Sequence, residues 1–271
     1  MTNNGPIGVF DSGLGGLSVL REIRALLPRE DILYYADNAY CPYGLRSQLE
    51  IQERSRLITQ LLVDMGAKAI VVACNTASSM AINRLREQFP KIESVGLEPA
   101  LKPAVALTRS GKVGVLATPR TVAGERMRWL IETHADGIEV LTVAAAGLVE
   151  LVECGELTGL LVAEALRPLL DPMIEAGVDV IVLGCTHYPF LRSEIESYLG
   201  TGVPVIDSGM AIARRTRYVL EAAGLLSESQ AIGTLMLLTS GLVDEVEPVA
   251  RMLLGEQVTV RSTPAAAMAI G

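Results

Sequence analysis

Two cysteines and one histidine are the residues of this chain best suited to moving protons. Cys74 ends the apolar run Ala69-Ile70-Val71-Val72-Ala73 and precedes Asn75-Thr76, while Cys185 ends Val180-Ile181-Val182-Leu183-Gly184 and precedes Thr186-His187. Short apolar runs of this kind read as strands buried on both faces of a parallel sheet. Ligands of such sheets bind just beyond the carboxyl ends of the strands, so each thiol is expected where chemistry is done. A lone free cysteine is commonly a small buried hydrophobe, but two at matching strand ends predict two thiols facing one substrate. A helix after each strand should lower the thiol pKa from its reference of about 8.5, and His187 could lower it further or carry the proton. The other histidine, His134, is expected to face solvent.

A second candidate is Asp11-Ser12-Gly13-Leu14-Gly15-Gly16, between a short strand and a helical stretch. Its glycines predict a tight turn with amides aimed at a ligand, and a carboxylate suits such a helix start. It is not a dinucleotide fingerprint, because Ser18 holds the last glycine position. The plain alternative is a strand-to-helix turn with Asp11 as a cap. Pro42-Tyr43-Gly44 follows Asp37-Asn38 in a loop rich in turn signals. Cys41 and Cys154 lack polar partners at catalytic spacing and read as bystanders. Glu150 and Glu153 read by default as residues of a solvated helix face. With no CxxC and no paired histidines, no metal site is expected. None of the four lysines (Lys68, Lys91, Lys102, Lys112) lies in a site motif, which argues against a pyridoxal phosphate Schiff base.

Positioning these groups requires strands alternating with helices, the pattern of an α/β fold with parallel sheets. Strands are expected at 7–10, 32–36, 69–73, 113–117, 138–143, 180–183 and 234–238. Helical stretches are expected at 16–27, 47–65, 122–134, 157–176 and 211–223. The chain reads as two distant copies, since Asp11 and Thr118 end comparable strands at similar distances before Cys74 and Cys185. Two pseudo-symmetric doubly wound α/β domains follow, with the site between them: 1–96 plus 208–271, and 97–207. The segment Asp207-Ser208-Gly209 echoes Asp11-Ser12-Gly13, and the chain after it is expected to return to the first domain. Pro264 to Gly271 reads as a frayed tail.

The 271 residues are 50% hydrophobic, enough for substantial cores without disulfides. A net charge of −8 argues against nucleic acid as a partner. The start Met1-Thr2-Asn3-Asn4-Gly5-Pro6 has no signal-peptide pattern and no apolar run is long enough to span a membrane, so a cytoplasmic protein with reduced thiols is expected.

Together these motifs resemble the glutamate racemases, within the cofactor-independent aspartate/glutamate racemases. The resemblance runs from about Ile7 to Leu225. It takes in Gly8 to Gly16, Pro42-Tyr43-Gly44, Ala73 to Ser78, Gly114 to Thr118, Leu183 to Pro189 and Asp207-Ser208-Gly209. It implies a two-base interconversion of L- and D-glutamate without cofactor, supplying D-glutamate for peptidoglycan. It also implies Cys74 and Cys185 as the catalytic pair, assisted by Asp11 and His187 respectively. Asp11, Ser12, Pro42, Tyr43, Gly44, Asn75, Thr76, Thr118, Thr186 and His187 would hold the substrate, with Glu153 a contributor by loose correspondence. A homodimer is implied, and the short N-terminus resembles that of members needing no activator. Three readings compete: an aspartate racemase of the same fold, a thiol amidohydrolase built on Cys185 and His187, and an amino-acid binding module. The hydrolase leaves Cys74 unexplained, and bilobal binders are generally exported.

Overall fold

The computed structural model describes residues 4–263, so the expected tail at 264–271 lies outside the described residues. The order along the chain begins with β1 (Ile7–Asp11), α1 (Leu17–Leu26), β2 (Ile32–Ala36), α2 (Gln48–Asp64), β3 (Ala69–Val72), α3 (Asn75–Gln88), β4 (Glu93–Gly96) and α4 (Leu101–Leu107). A second run follows with β5 (Lys112–Ala117), α5 (Pro119–Val122), α6 (Glu125–His134), β6 (Glu139–Ala144), α7 (Leu148–Glu153), α8 (Leu160–Glu175), β7 (Val180–Gly184), α9 (Arg192–Leu199) and β8 (Val205–Ile206). The described chain ends with α10 (Gly209–Ala222), β9 (Leu235–Thr239), α11 (Val243–Leu254) and β10 (Val260–Ser262).

These strands form two parallel sheets, ordered β10-β9-β2-β1-β3-β4 and β6-β5-β7-β8. The stretch β2-β1-β3-β4 has the same order as β6-β5-β7-β8, which makes the two halves topological copies. In each, the central pair (β1/β3 and β5/β7) marks the point where the winding reverses, and a crevice opens there beyond the strand ends. Asp11 and Cys74 flank the first crevice; Thr118 and Cys185 flank the second.

Both sheet faces are covered, as an all-parallel sheet requires. Along β1, Ile7 and Val9 pack on one face and Phe10 on the other, and all three are buried. In the smaller sheet, Val113, Val115, Val180 and Val182 pack toward α4 and α6 with Leu101, Ala104, Met127 and Leu130.

Several expected elements differ at their edges. The single helix read over 122–134 is broken at Ala123-Gly124, where Thr118 caps α5 and Pro119 occupies its first turn. The helix read over 157–176 starts only at Leu160, after Gly159 at φ +93°, and includes Pro168 and Pro172.

Candidate active site

Asp11 ends β1 with its carboxylate fully buried. Its Oδ1 accepts from the Ser12 amide at 2.7 Å, and its Oδ2 accepts from the Gly16 amide at 2.6 Å and the Thr186 hydroxyl at 3.2 Å. Burial pushes its pKa above the usual carboxylate value, partly offset by the positive field of His187 and by hydrogen bonds that include the Cys74 thiol. Cys74 stands at the N-cap of α3, with Sγ 3.9 Å from Ser12 Oγ. Its pKa is raised well above that of a free thiol, by burial first and then by the nearby Asp11 carboxylate. The helix start was expected to lower it. The Ala77 amide does act in that direction, but burial and Asp11 outweigh it. Unlike Cys74, Cys185 has no α-helix starting at it, because Tyr188–Leu191 forms a 3₁₀ turn and α9 begins at Arg192.

Cys185 Sγ lies 3.7 Å from Nδ1 of the buried His187. The other ring nitrogen, Nε2, is 2.6 Å from Glu153 Oε1 and 3.2 Å from the Gly15 amide. One nitrogen cannot accept from Gly15 and donate to Glu153 at once, and the shorter, charge-assisted contact fixes the proton toward Glu153. Burial, the largest influence on His187, works against its charge. Contacts with Cys185, Cys41 and Glu153 together outweigh it and hold its pKa well above the ordinary imidazole value.

Glu153 is therefore no solvated-face residue. Its Oε1 also accepts from the Leu14 amide at 2.6 Å, and its Oε2 accepts from Asn38 Nδ2 at 2.6 Å. The glycine loop is corrected by the same contacts. None of Gly13, Gly15 and Gly16 has a positive φ, and the amides of 14, 15 and 16 point at Glu153, His187 and Asp11 rather than at an open ligand site. These glycines are required because a Cβ would lie 2.1 Å from Glu153 Oε1 at Gly13, 2.2 Å from His187 Nδ1 at Gly15 and 2.7 Å from Tyr34 Oη at Gly16.

Eleven residues singled out in the sequence line one enclosed cavity: Ser12, Pro42, Tyr43, Gly44, Cys74, Asn75, Thr76, Thr118, Cys185, Thr186 and His187, joined by Val149. Asp11 stands behind Cys74 and Ser12. The cavity holds only ≈ 10 Å³, about enough for one water molecule. Asn75 Nδ2 is buried there without a partner. Across the crevice Thr76 and Thr118 share a hydrogen bond of 2.9 Å.

Residues 7–216 match the family described as Asp/Glu/hydantoin racemase. A glutamate racemase of Herpetosiphon aurantiacus is 53% identical over 87% of this chain and 92% of its own length. The chain belongs to the Asp/Glu/hydantoin racemase family. Members of this family fold alike: a glutamate racemase isoform of Bacillus anthracis superposes with a TM-score of 0.88 at 34% identity, covering 97% of this chain and 98% of its own. The Francisella tularensis glutamate racemase in complex with D-glutamate superposes at 0.85 with 28% identity, covering 97% and 98%. The racemase family is an isomerase class, so the cavity belongs to an enzyme, and no helix among the described residues is long and apolar enough to cross a membrane.

Two features of the racemase site escaped the sequence. Asp37, fully buried, receives Arg54 Nε at 2.9 Å and Nη2 at 2.7 Å, the Tyr43 hydroxyl at 2.5 Å and Ser240 Oγ at 2.7 Å. That network fixes the Tyr43-Gly44 loop, and it also occupies the Tyr43 hydroxyl. The available signal was a charge on an apolar stripe: Arg54 lies one turn from both Ile51 and Ile58, which are buried along α2. The second is Cys41, whose thiol comes beside His187 and Glu153 although the three are far apart in sequence. Burial first, then the charge of Glu153 among other neighbours, pushes the Cys41 pKa up to about 12.

Proposed function

We propose that this enzyme interconverts L- and D-glutamate with Cys74 and Cys185 as its two bases, supplying D-glutamate for peptidoglycan. One observation carries the reading: the thiols end equivalent strands of the two sheets and line one cavity, each with its own assisting group. Inversion at carbon without a cofactor needs an acid and a base on opposite faces, and one thiol from each half of the molecule meets that need. In the L-to-D direction the Cys185 thiolate takes the α-proton, and the C–H electron pair stays on the substrate, spread into its carboxylate. The Cys74 thiol then gives its proton to the opposite face. Turnover leaves Cys185 protonated and Cys74 ionised, so the reverse direction starts from the state the forward one produces.

His187, bonded through Nδ1, stabilises the Cys185 thiolate or returns its proton, and Asp11 does the same for Cys74. Hydroxyls of Ser12, Thr76, Thr118 and Thr186, the Asn75 side chain and the backbone amides of Tyr43 and Gly44 meet the substrate, with Pro42 shaping the wall. The unpartnered Asn75 Nδ2 supports an acceptor such as a carboxylate there. A two-domain division at 1–96 plus 208–271 and 97–207, a homodimer and a cytoplasmic location belong to the same reading, and light scattering reads out the dimer.

The test is incubation with L-glutamate in D2O without added cofactor, following optical activity by circular dichroism and α-deuteration by NMR. Loss of optical activity with deuterium at the α-carbon is expected, with kcat/KM far higher for glutamate than for aspartate. Cys74→Ala and Cys185→Ala should each abolish racemisation. Asp11→Asn should slow chiefly the D-to-L direction and His187→Asn the L-to-D direction, each by ~10²–10⁴. At equilibrium the kcat/KM ratio is fixed, so the asymmetry appears in kcat or in isotope effects. Near wild-type racemisation by Cys74→Ala would replace this reading with a one-base or hydrolytic centre on Cys185.

A further inference from the structure

Behind the substrate cavity, on the far side of His187, Cys41 Sγ, a Glu153 carboxylate oxygen and a His187 ring nitrogen lie within 4.8 Å of one another. Cys41 and Glu153 also line a larger cavity of ≈ 580 Å³, bounded on its other side by Ser240, Leu242 and Glu245. A thiolate, an imidazole and a carboxylate form a ligand set that suits zinc, leaving a fourth position for water. Tetrahedral zinc places such donors about 3.3–3.6 Å apart, so no gap must close by more than ~1.5 Å. The donors are already oriented: the Leu14 amide and Asn38 Nδ2 hold the two carboxylate oxygens, and the Cys185 contact holds Nδ1 of the ring. Outer contacts of this kind commonly fix metal ligands.

We propose that Cys41, Glu153 and His187 form an inhibitory site for zinc, entered through the larger cavity. Coordination forms one bond from each donor to the metal. It releases the Cys41 thiol proton and the His187 Nε2 proton to solvent, with no change of oxidation state. With Nε2 committed to the metal, His187 no longer exchanges protons for Cys185, so zinc stops turnover without touching the substrate. The inhibitory half of this inference rests on the role proposed for His187, whereas the binding half does not.

Two measurements separate the halves. The first is titration of the full chain with zinc chloride, and with cobalt chloride as a coloured stand-in. One metal per chain is expected, with a thiolate-to-cobalt charge-transfer band. That band should persist in a Cys74→Ala/Cys185→Ala double variant and in Cys154→Ser, and disappear in Cys41→Ser. Cys41→Ala repeats the test with no side-chain donor, and thermal melts confirm that each variant is folded. The second is racemisation in the presence of zinc. Measured against its own zinc-free rate, Cys41→Ser should require at least ~10-fold more zinc for inhibition, and wild type should recover on adding a chelator. Equal zinc sensitivity in wild type and Cys41→Ser, or loss of the band in the double variant, assigns the metal to the substrate thiols and overturns the proposal. A Cys41-dependent band in a protein that fails to racemise glutamate leaves the zinc site standing and removes the proposed function instead.

Discussion

The charge on His187 is held by a small number of atoms, and Glu153 is the one that can be neutralised with least change of shape. Its carboxylate is 2.6 Å from Nε2 and only slightly exposed, so it stabilises the imidazolium in a setting that solvent screens poorly. Glu153→Gln should lower the His187 titration midpoint, read by NMR of ring-labelled protein, and slow the L-to-D direction more than the reverse. The sign for stability follows from the raised folded-state pKa. The contribution of His187 is fully present below its unfolded value of 6.5 and is lost as pH rises through the higher folded value. Urea midpoints measured upward from pH 6.5 should therefore fall with pH in the wild type, and fall less in Glu153→Gln. An unchanged NMR midpoint would show that Glu153 does not hold the charge. Asp37 poses the opposite problem, because Arg54 is its bidentate cation and both are buried. Arg54→Met leaves a buried carboxylate without that cation, at a cost of about 3–5 kcal/mol in urea unfolding, and loosens the Tyr43 loop enough to raise KM.

At the scale of elements, the loop from Asp11 to Gly16 shows where sequence reading succeeds and where it stops. Strands β1, β3, β5 and β7 were legible to within a residue or so, because each is a continuous apolar run ended by a polar residue or thiol. The thiols and their neighbours were legible for the same reason: strand ends in this architecture converge on a crevice. The glycines were read correctly as special but for the wrong cause. A local reading finds a turn, whereas the atoms that exclude a Cβ at Gly13 and Gly15 come from Glu153 and His187, more than a hundred residues away. The Cys41–Glu153–His187 cluster was invisible for that reason too, and so was the inward reach of Glu153 from the last position of α7. The segments α11 and β10 went unread because nothing after Leu225 carries a motif, although Val246, Ala250 and Leu253 keep a helical apolar spacing. The corrected view of the loop makes a sharp prediction. Gly15→Ala needs no unusual backbone angle, so the strand-to-helix turn should form and far-UV circular dichroism should remain that of the folded wild type. Its Cβ would displace His187, so L-to-D turnover should drop by ~10²-fold or more, approaching His187→Asn. A variant with normal turnover in both directions would show that the ring moves aside without consequence.

The two lobes meet through bonds that close the cavity down to the room of one water molecule, so glutamate enters only if they part. The loop supplies its own internal control for that motion. The Leu14 amide donates to Glu153 and the Gly15 amide is covered by the His187 ring at 3.2 Å from Nε2, both partners belonging with the smaller sheet, while the neighbouring Gly16 amide donates to Asp11 of the larger one. Parting of the lobes breaks the first two contacts and leaves the Gly16 bond intact. Native-state hydrogen exchange should accordingly find Leu14 and Gly15 exchanging faster than Gly16 in the free protein, and saturating glutamate should slow those two selectively. Gly44→Ala tests the same motion from the other rim. Its Cβ would lie 2.9 Å from Thr118 Cβ across the crevice, holding the lobes slightly open. The variant should show faster exchange at Leu14 and Gly15, a higher KM and a lower kcat, with β1 amides unchanged. Equal protection at 14, 15 and 16, unaffected by glutamate, would mean that the crevice stays shut and that substrate reaches the thiols by another route.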